Sequence, residues 1–114
     1  MRESQTMKAV RLEAVGSLWA REVRTPEPGP DDLLVRIEAS GICGTDRHLF
    51  HGEFPCSPPV TLGHEFSGIV EKTGSSVSAF ALGERSTGDP NIACSRCQYC
   101  HAGRANHSRN LQAI

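Results

Sequence analysis

Cys94, Cys97 and Cys100 stand at C-x2-C-x2-C spacing in the stretch CSRCQYCHAGRANHS, residues 94–108. Closely spaced thiolates are the donor pattern of a structural zinc site, because zinc takes four soft or borderline ligands in a tetrahedron. Three sulfurs leave one vertex to fill, and where a fourth thiolate would close the site the chain has Ser108. A neutral hydroxyl is a far poorer zinc ligand than a thiolate. A water, His107, His101 or an empty vertex are the alternatives. Two further stretches carry groups able to bind metal or move protons, GICGTDRH at 41–48 and GHE at 63–65. Taken singly, each has a structural reading. Cys43 reads as a small buried hydrophobe, His64 as a hydrogen-bonded imidazole and Glu65 as a solvated carboxylate. Thr45 or Asp46 reads as a helix cap, and His48 as a surface imidazole.

The elements that must position these groups are short strands. Alternation with a period of two runs through Ala9–Leu12, Leu18–Val23 and Leu33–Ala39, each run ended by Gly, Pro, Asp or Ser. A second group spans Phe66–Lys72 and, after the turn at Gly74-Ser75-Ser76, Val77–Leu82. The connector TPEPGPDD, residues 25–32, holds three prolines and no helix can cross it. Only Thr45–Phe50 reads as a helical turn. From Asp89 to Asn110 there is almost no hydrophobic periodicity, and a segment of about twenty residues without its own core is disordered or held by something else. The cysteines are what would hold it, since zinc contributes on the order of 10 kcal/mol to the folding of zinc-finger peptides.

With 114 residues, 38% hydrophobic and 22% charged residues and a formal net charge of -1, the chain is expected to form one small domain around one core. The charge balance gives no footprint for nucleic acid. No apolar run is long enough for a membrane helix, and MRESQTMKAV lacks the apolar stretch of a signal peptide, so the expected location is the cytoplasm. Five cysteines in such a setting favour metal binding or catalysis over disulfides. MKAVRLE reads as the start of a strand and MRESQT does not. Residues 1–6 are accordingly read as a tag or disordered extension, and 7–114 as the domain.

In this order, G-I-C-G-T-D-x-H at 41–48, G-H-E-F-S-G-x-V at 63–70, D-P-N-x-x-C at 89–94 and the cysteine knuckle running into G-R-x-N at 103–106 resemble the zinc-dependent medium-chain alcohol and polyol dehydrogenases. The resemblance covers nearly the whole chain from Met7. It implies a mainly β, GroES-like, partly open barrel with a short helical turn and a cysteine-rich zinc lobe, the catalytic domain of an NAD(P)-linked oxidoreductase that oxidises an alcohol or polyol. It further implies Cys43, His64 and Glu65 at a catalytic zinc, Glu65 coordinating directly or standing just behind it. Thr45 and His48 would form the proton relay, and Asp46 would accept the ring N–H of a ligand histidine. Cys94, Cys97 and Cys100 become ligands of a structural zinc. His51, Cys56, His101 and His107 match no catalytic position and read as solvated loop residues. A homo-oligomer is compatible with the family.

The chain departs from the family pattern in two ways. No G-x-G-x-x-G occurs, so NAD or NADP would be bound only by a nucleotide-binding domain that these residues do not include, and the chain alone is expected to be inactive. Ser108 is the second departure, together with the polar GERSTG at 83–88 where an apolar strand is expected. These lead to the expectation that Ile92–Ser108 is poorly ordered or free of metal. They also motivate the rival reading, a non-catalytic zinc-binding or structural GroES-like module.

Overall fold

The computed structural model describes residues 5–113. β1 (Thr6–Ala14) and β2 (Ser17–Arg24) form an antiparallel hairpin, and β4 (Val60–Thr61) pairs with the other edge of β1. A second sheet sets β3 (Leu33–Gly41) and β6 (Arg85–Ser86) on either side of β5 (Glu65–Thr73). A small third pair joins β7 (Asn91–Ile92) to β8 (Gln112–Ala113). Among the described residues, helix is confined to α1 (Gly44–Phe50), α2 (Gln98–His101) and a 3-10 turn at Ala105–His107. The chain is thus mainly β, as its alternation predicts. No closed barrel forms among the described residues, and an open cavity of about 600 Å³ lies between Met7, Lys8 and Val10 of β1 and Leu34 and Ile37 of β3.

The core is thin. Leu12 is fully buried on β1, opposite Val60 of β4, and Val70 is buried on β5, the central strand of its sheet. Among the described residues Ala9 is the other buried hydrophobic side chain, whereas Trp19, Ile37 and Ile42 are exposed. Full burial of a leucine contributes roughly 1.5–3 kcal/mol, so much of the stability rests on few side chains. The proline-rich connector is tied to the turn after β5 by hydrogen bonds from the Gly74 N–H to the Asp32 carbonyl and from the Ser76 N–H to the Pro30 carbonyl, both 2.8 Å. Gly74 has to be glycine there. A Cβ would lie 2.2 Å from the carbonyl oxygens of Gly29 and Pro30, a distance no side chain can adopt.

Several expectations are corrected. Val77–Leu82 alternates in sequence but forms no strand, because the chain turns at either end of it and its backbone finds no ladder partner. Pairing with β5 resumes at Gly83, whose N–H reaches the Val70 carbonyl, and the polar GERSTG then supplies β6, with Arg85 opposite Ile69 and Ser86 opposite Gly68. At the N-terminus β1 begins at Thr6, which pairs with Arg24, while the Gln5 carbonyl accepts the Thr25 N–H. Residues 1–4 of the expected extension lie outside the described residues. The segment 92–108, expected to be poorly ordered or free of metal, is ordered and folds into α2, the 3-10 turn and a buried Ser108, beside the β7–β8 pair.

Candidate metal centres

The register of β3 against β5 builds the first centre. Gly41, the last residue of β3, lies opposite Glu65, the first of β5, which brings the segment after β3 beside the segment before β5. Cys43 follows as the N-cap of α1, in extended conformation, with φ -89° and ψ 155°. His64 precedes Glu65 and follows Gly63, whose φ of +115° is open only to glycine at low cost. The result is a group in which the Cys43 sulfur, a ring nitrogen of His64 and a carboxylate oxygen of Glu65 all lie within 4.8 Å of one another.

Asp46 serves both the helix and the histidine. Its Oδ2 accepts the backbone N–H of Cys43 at 2.9 Å, which caps the start of α1. Neither Thr45 nor Asp46 is therefore the N-cap; Cys43 takes that position because Asp46, three residues on, reaches back to it. The other oxygen, Oδ1, is buried without a hydrogen-bond partner and sits 3.6 Å from Nδ1 of His64. A buried unpartnered carboxylate oxygen is costly. This one is explained if it waits for the ring N–H of a histidine whose other nitrogen binds metal. The donor set and this orphaned oxygen fit a zinc ion.

Thr45 Oγ1 lies 3.6 Å from the Cys43 sulfur. With Asp46 and His64 it lines an open cleft of about 770 Å³ whose wall is largely apolar, including Leu49, Phe54, Val60 and Leu62. His48 is not in that cleft. It is exposed, one helical turn from Thr45, and borders a separate hollow with Arg47, His51 and Glu53. Its Nδ1 pairs with Oε2 of Glu53, and its ring meets Phe54 edge-on with centroids 5.3 Å apart. The hydrogen bond from His48 holds the Glu53 carboxyl below its ordinary value, helped by the charges of His48, His51 and Arg47. Glu53 has no signal in the sequence, since its contact depends on the turn after α1.

The second centre is the cysteine lobe. Cys97 caps α2, and its sulfur lies 3.6 Å from that of Cys100; Cys94 lies 3.9 Å from Cys100. Ser108 Oγ stands 3.3 Å from the Cys94 sulfur and 3.8 Å from that of Cys97. Hydrogen bonding, chiefly from the Ser108 hydroxyl and then from the N–H groups of Arg96 and Cys97, lowers the Cys94 thiol to about 5. The Cys97 thiol is lowered mainly by the N–H groups of Arg109 and Cys100. Thiolate is the form that binds metal, and this donor set also fits zinc. Neither His101 nor His107 joins the group of mutually close ligand atoms. The His107 ring instead faces Tyr99 at 6.4 Å. Both are exposed, as are His51 and Cys56.

The family model of the alcohol dehydrogenase GroES-like domain matches residues 29–113. The L-threonine 3-dehydrogenase of Rhizobium etli (strain CIAT 652) is 41% identical over 116 residues, covering 97% of this chain and 34% of the relative. A Sinorhizobium meliloti 1021 protein, classed as a zinc-binding dehydrogenase and solved with NADP, is 67% identical with a TM-score of 0.92, over 96% of this chain and 32% of its own. The alcohol dehydrogenase of Thermus sp. ATN1 is 38% identical with a TM-score of 0.83, over 95% of this chain and 32% of its own. The chain belongs to the GroES-like domain family of the zinc-dependent medium-chain dehydrogenases. Its fold and motif order are those of their N-terminal domain, and it spans about a third of the length of the curated relatives it matches.

Proposed function

We propose that this chain is the catalytic domain of a zinc-dependent, NAD(P)-linked oxidoreductase that oxidises an alcohol or polyol to a carbonyl compound. The meeting of Cys43, His64 and Glu65 beside the cleft carries this reading. A thiolate, an imidazole and a carboxylate are a catalytic zinc donor set that leaves room for a further ligand. Zinc held there supplies a Lewis acid for a hydroxyl oxygen.

The chain's own residues serve that chemistry. Asp46 Oδ1, unpartnered and 3.6 Å from Nδ1 of His64, would accept that ring's proton when the other nitrogen takes the metal, which would fix the tautomer and leave Nε2 as the ligand atom. Thr45, whose hydroxyl both donates and accepts, takes the proton that the substrate hydroxyl releases in the cleft. Thr45 must release its own proton in turn, and His48, one turn along α1, exposed and with its ring held by Glu53, is the group that would receive it and pass it to solvent. Leu49, Phe54, Val60 and Leu62 line the cleft with apolar surface suited to a small alcohol and poor for water. The 114 residues contain no G-x-G-x-x-G, so the hydride acceptor, NAD or NADP, is bound by a part of the protein outside them. The relative solved with NADP supports a nicotinamide dinucleotide as the cofactor.

Zinc content tests the reading. The purified chain is expected to hold one zinc in each centre, and Cys43→Ser and His64→Asn are each expected to remove one of the two. Unchanged zinc in both variants would refute the catalytic assignment.

A further inference from the structure

We propose that Ser108 Oγ is the fourth ligand atom of the cysteine lobe, making it a three-thiolate, one-oxygen site for zinc or another thiophilic divalent cation. This rests on the reading that the lobe binds metal, and it specifies which atom closes the site. The sequence leaves the fourth vertex open among a water, His107, His101 and nothing; the geometry points to Ser108.

The distances support it first. Around zinc with Zn–S near 2.3 Å, a tetrahedron has S···S edges of about 3.8 Å, and an oxygen at about 2.1 Å gives S···O edges of about 3.6 Å. The two short S···S separations are 3.6 and 3.9 Å, and the two S···O separations are 3.3 and 3.8 Å. The hydroxyl therefore sits one tetrahedral edge from two of the sulfurs.

The way Ser108 is held supports it independently. The Cys94 sulfur accepts the N–H of Arg96, two residues on, at 3.5 Å. Ser108 Oγ accepts the N–H of Asn110, also two residues on, at 3.4 Å, and the N–H of Cys94 at 3.2 Å. Backbone N–H groups thus hold the oxygen at the thiols; a neutral hydroxyl has two lone pairs, so the longer of these bonds, from Asn110, gives way when the oxygen takes the metal. Ser108 is also the one buried polar residue among the described residues, aimed at the thiols rather than at solvent. The imidazoles compete poorly, since both are exposed and His107 is turned to Tyr99.

A neutral hydroxyl adds no negative charge, so the site binds zinc more weakly than four thiolates would. The test loads the chain with Co(II) in a Cys43→Ser or a His64→Asn background, which silences the first centre, and follows the sulfur-to-cobalt charge-transfer band. Folding is checked by circular dichroism in each background. Ser108→Cys is expected to raise that band by about one third, from three thiolates to four, and to tighten zinc binding in a chelator competition. Ser108→Ala is expected to leave the band per bound cobalt unchanged while weakening zinc about 10-fold or more. His101→Ala and His107→Ala are expected to change neither. No rise in the band in Ser108→Cys, native zinc affinity in Ser108→Ala, or loss of affinity in either histidine variant would overturn the assignment. Absence of cobalt binding by the parent and Ser108→Cys alike would instead sink the metal reading of the lobe on which it rests.

Discussion

Replacing Asp46 separates two tasks that one carboxylate performs. Its Oδ2 caps α1 through the Cys43 N–H at 2.9 Å, and its Oδ1 is buried, unpartnered and 3.6 Å from His64 Nδ1. Asp46→Asn keeps an amide oxygen for the cap but gives up the carboxylate that would orient the histidine. Asp46→Ala gives up both. Loss of a cap costs about 0.5–2 kcal/mol, and loss of a partner that orients a metal-bound histidine costs about 10- to 100-fold in metal affinity. In the metal-free chain, Asp46→Asn should therefore stay within about 0.5 kcal/mol of the parent in urea unfolding, and Asp46→Ala should fall by about 1 kcal/mol or more. In a chelator competition that reads the first centre, both variants should lose about 10-fold or more in zinc affinity. Native affinity in Asp46→Asn would refute the reasoning, because the carboxylate would then be a cap and nothing else. Equal stability of the alanine and asparagine variants would refute the cap.

Other outcomes follow from the fold and from the His48–Glu53 pair. The Glu53 carboxyl is held below its ordinary value of 4.5 chiefly by the His48 hydrogen bond. Its contribution to stability is therefore present above 4.5 and lost as the pH falls through the lower folded value. A carboxyl NMR titration should show that low midpoint, and His48→Gln should return it toward 4.5; an unmoved midpoint would disprove the pairing. Leu12→Ala removes a fully buried side chain and should cost about 2–5 kcal/mol in denaturant unfolding. A cost near zero would show that the β1–β4 contact is not part of the core.

The strands were legible because Ala9–Leu12, Leu33–Ala39 and Phe66–Lys72 suggest a period of two, although burial follows that period only in β5, where Phe66, Gly68 and Val70 are shielded; in β1 the buried Ala9 and Leu12 fall on opposite faces, and β3 is shielded only over Leu33–Val35. The same signal misled at Val77–Leu82, where alternation has no neighbouring strand to pair with. It was silent at Arg85–Ser86, where two polar residues pair with β5 because the chain returns there. Periodicity measures a half-buried face, and pairing needs a partner that the pattern does not contain. The first centre was legible only as motifs. Cys43 and Glu65 are 22 positions apart, and the β3–β5 register is what makes them neighbours. The cap was misread because cysteine is not a usual cap residue, and Asp46 reaches back to it. Glu53 was invisible because its contact arises from a turn. For want of apolar residues the lobe read as disordered or held by something else, and Ser108 turned that reading toward disorder or absence of metal; backbone N–H groups directed at sulfur and at Ser108 Oγ organise it without a hydrophobic core.

Anomalous diffraction at the zinc absorption edge, from crystals of the zinc-loaded chain, tests the central claim most directly. A peak between the Cys43 sulfur, the His64 ring and the Glu65 carboxylate is predicted, beside a second among Cys94, Cys97, Cys100 and Ser108. A single peak in the cysteine lobe, with nothing at Cys43 and His64, would contradict the assignment of a catalytic centre to this chain.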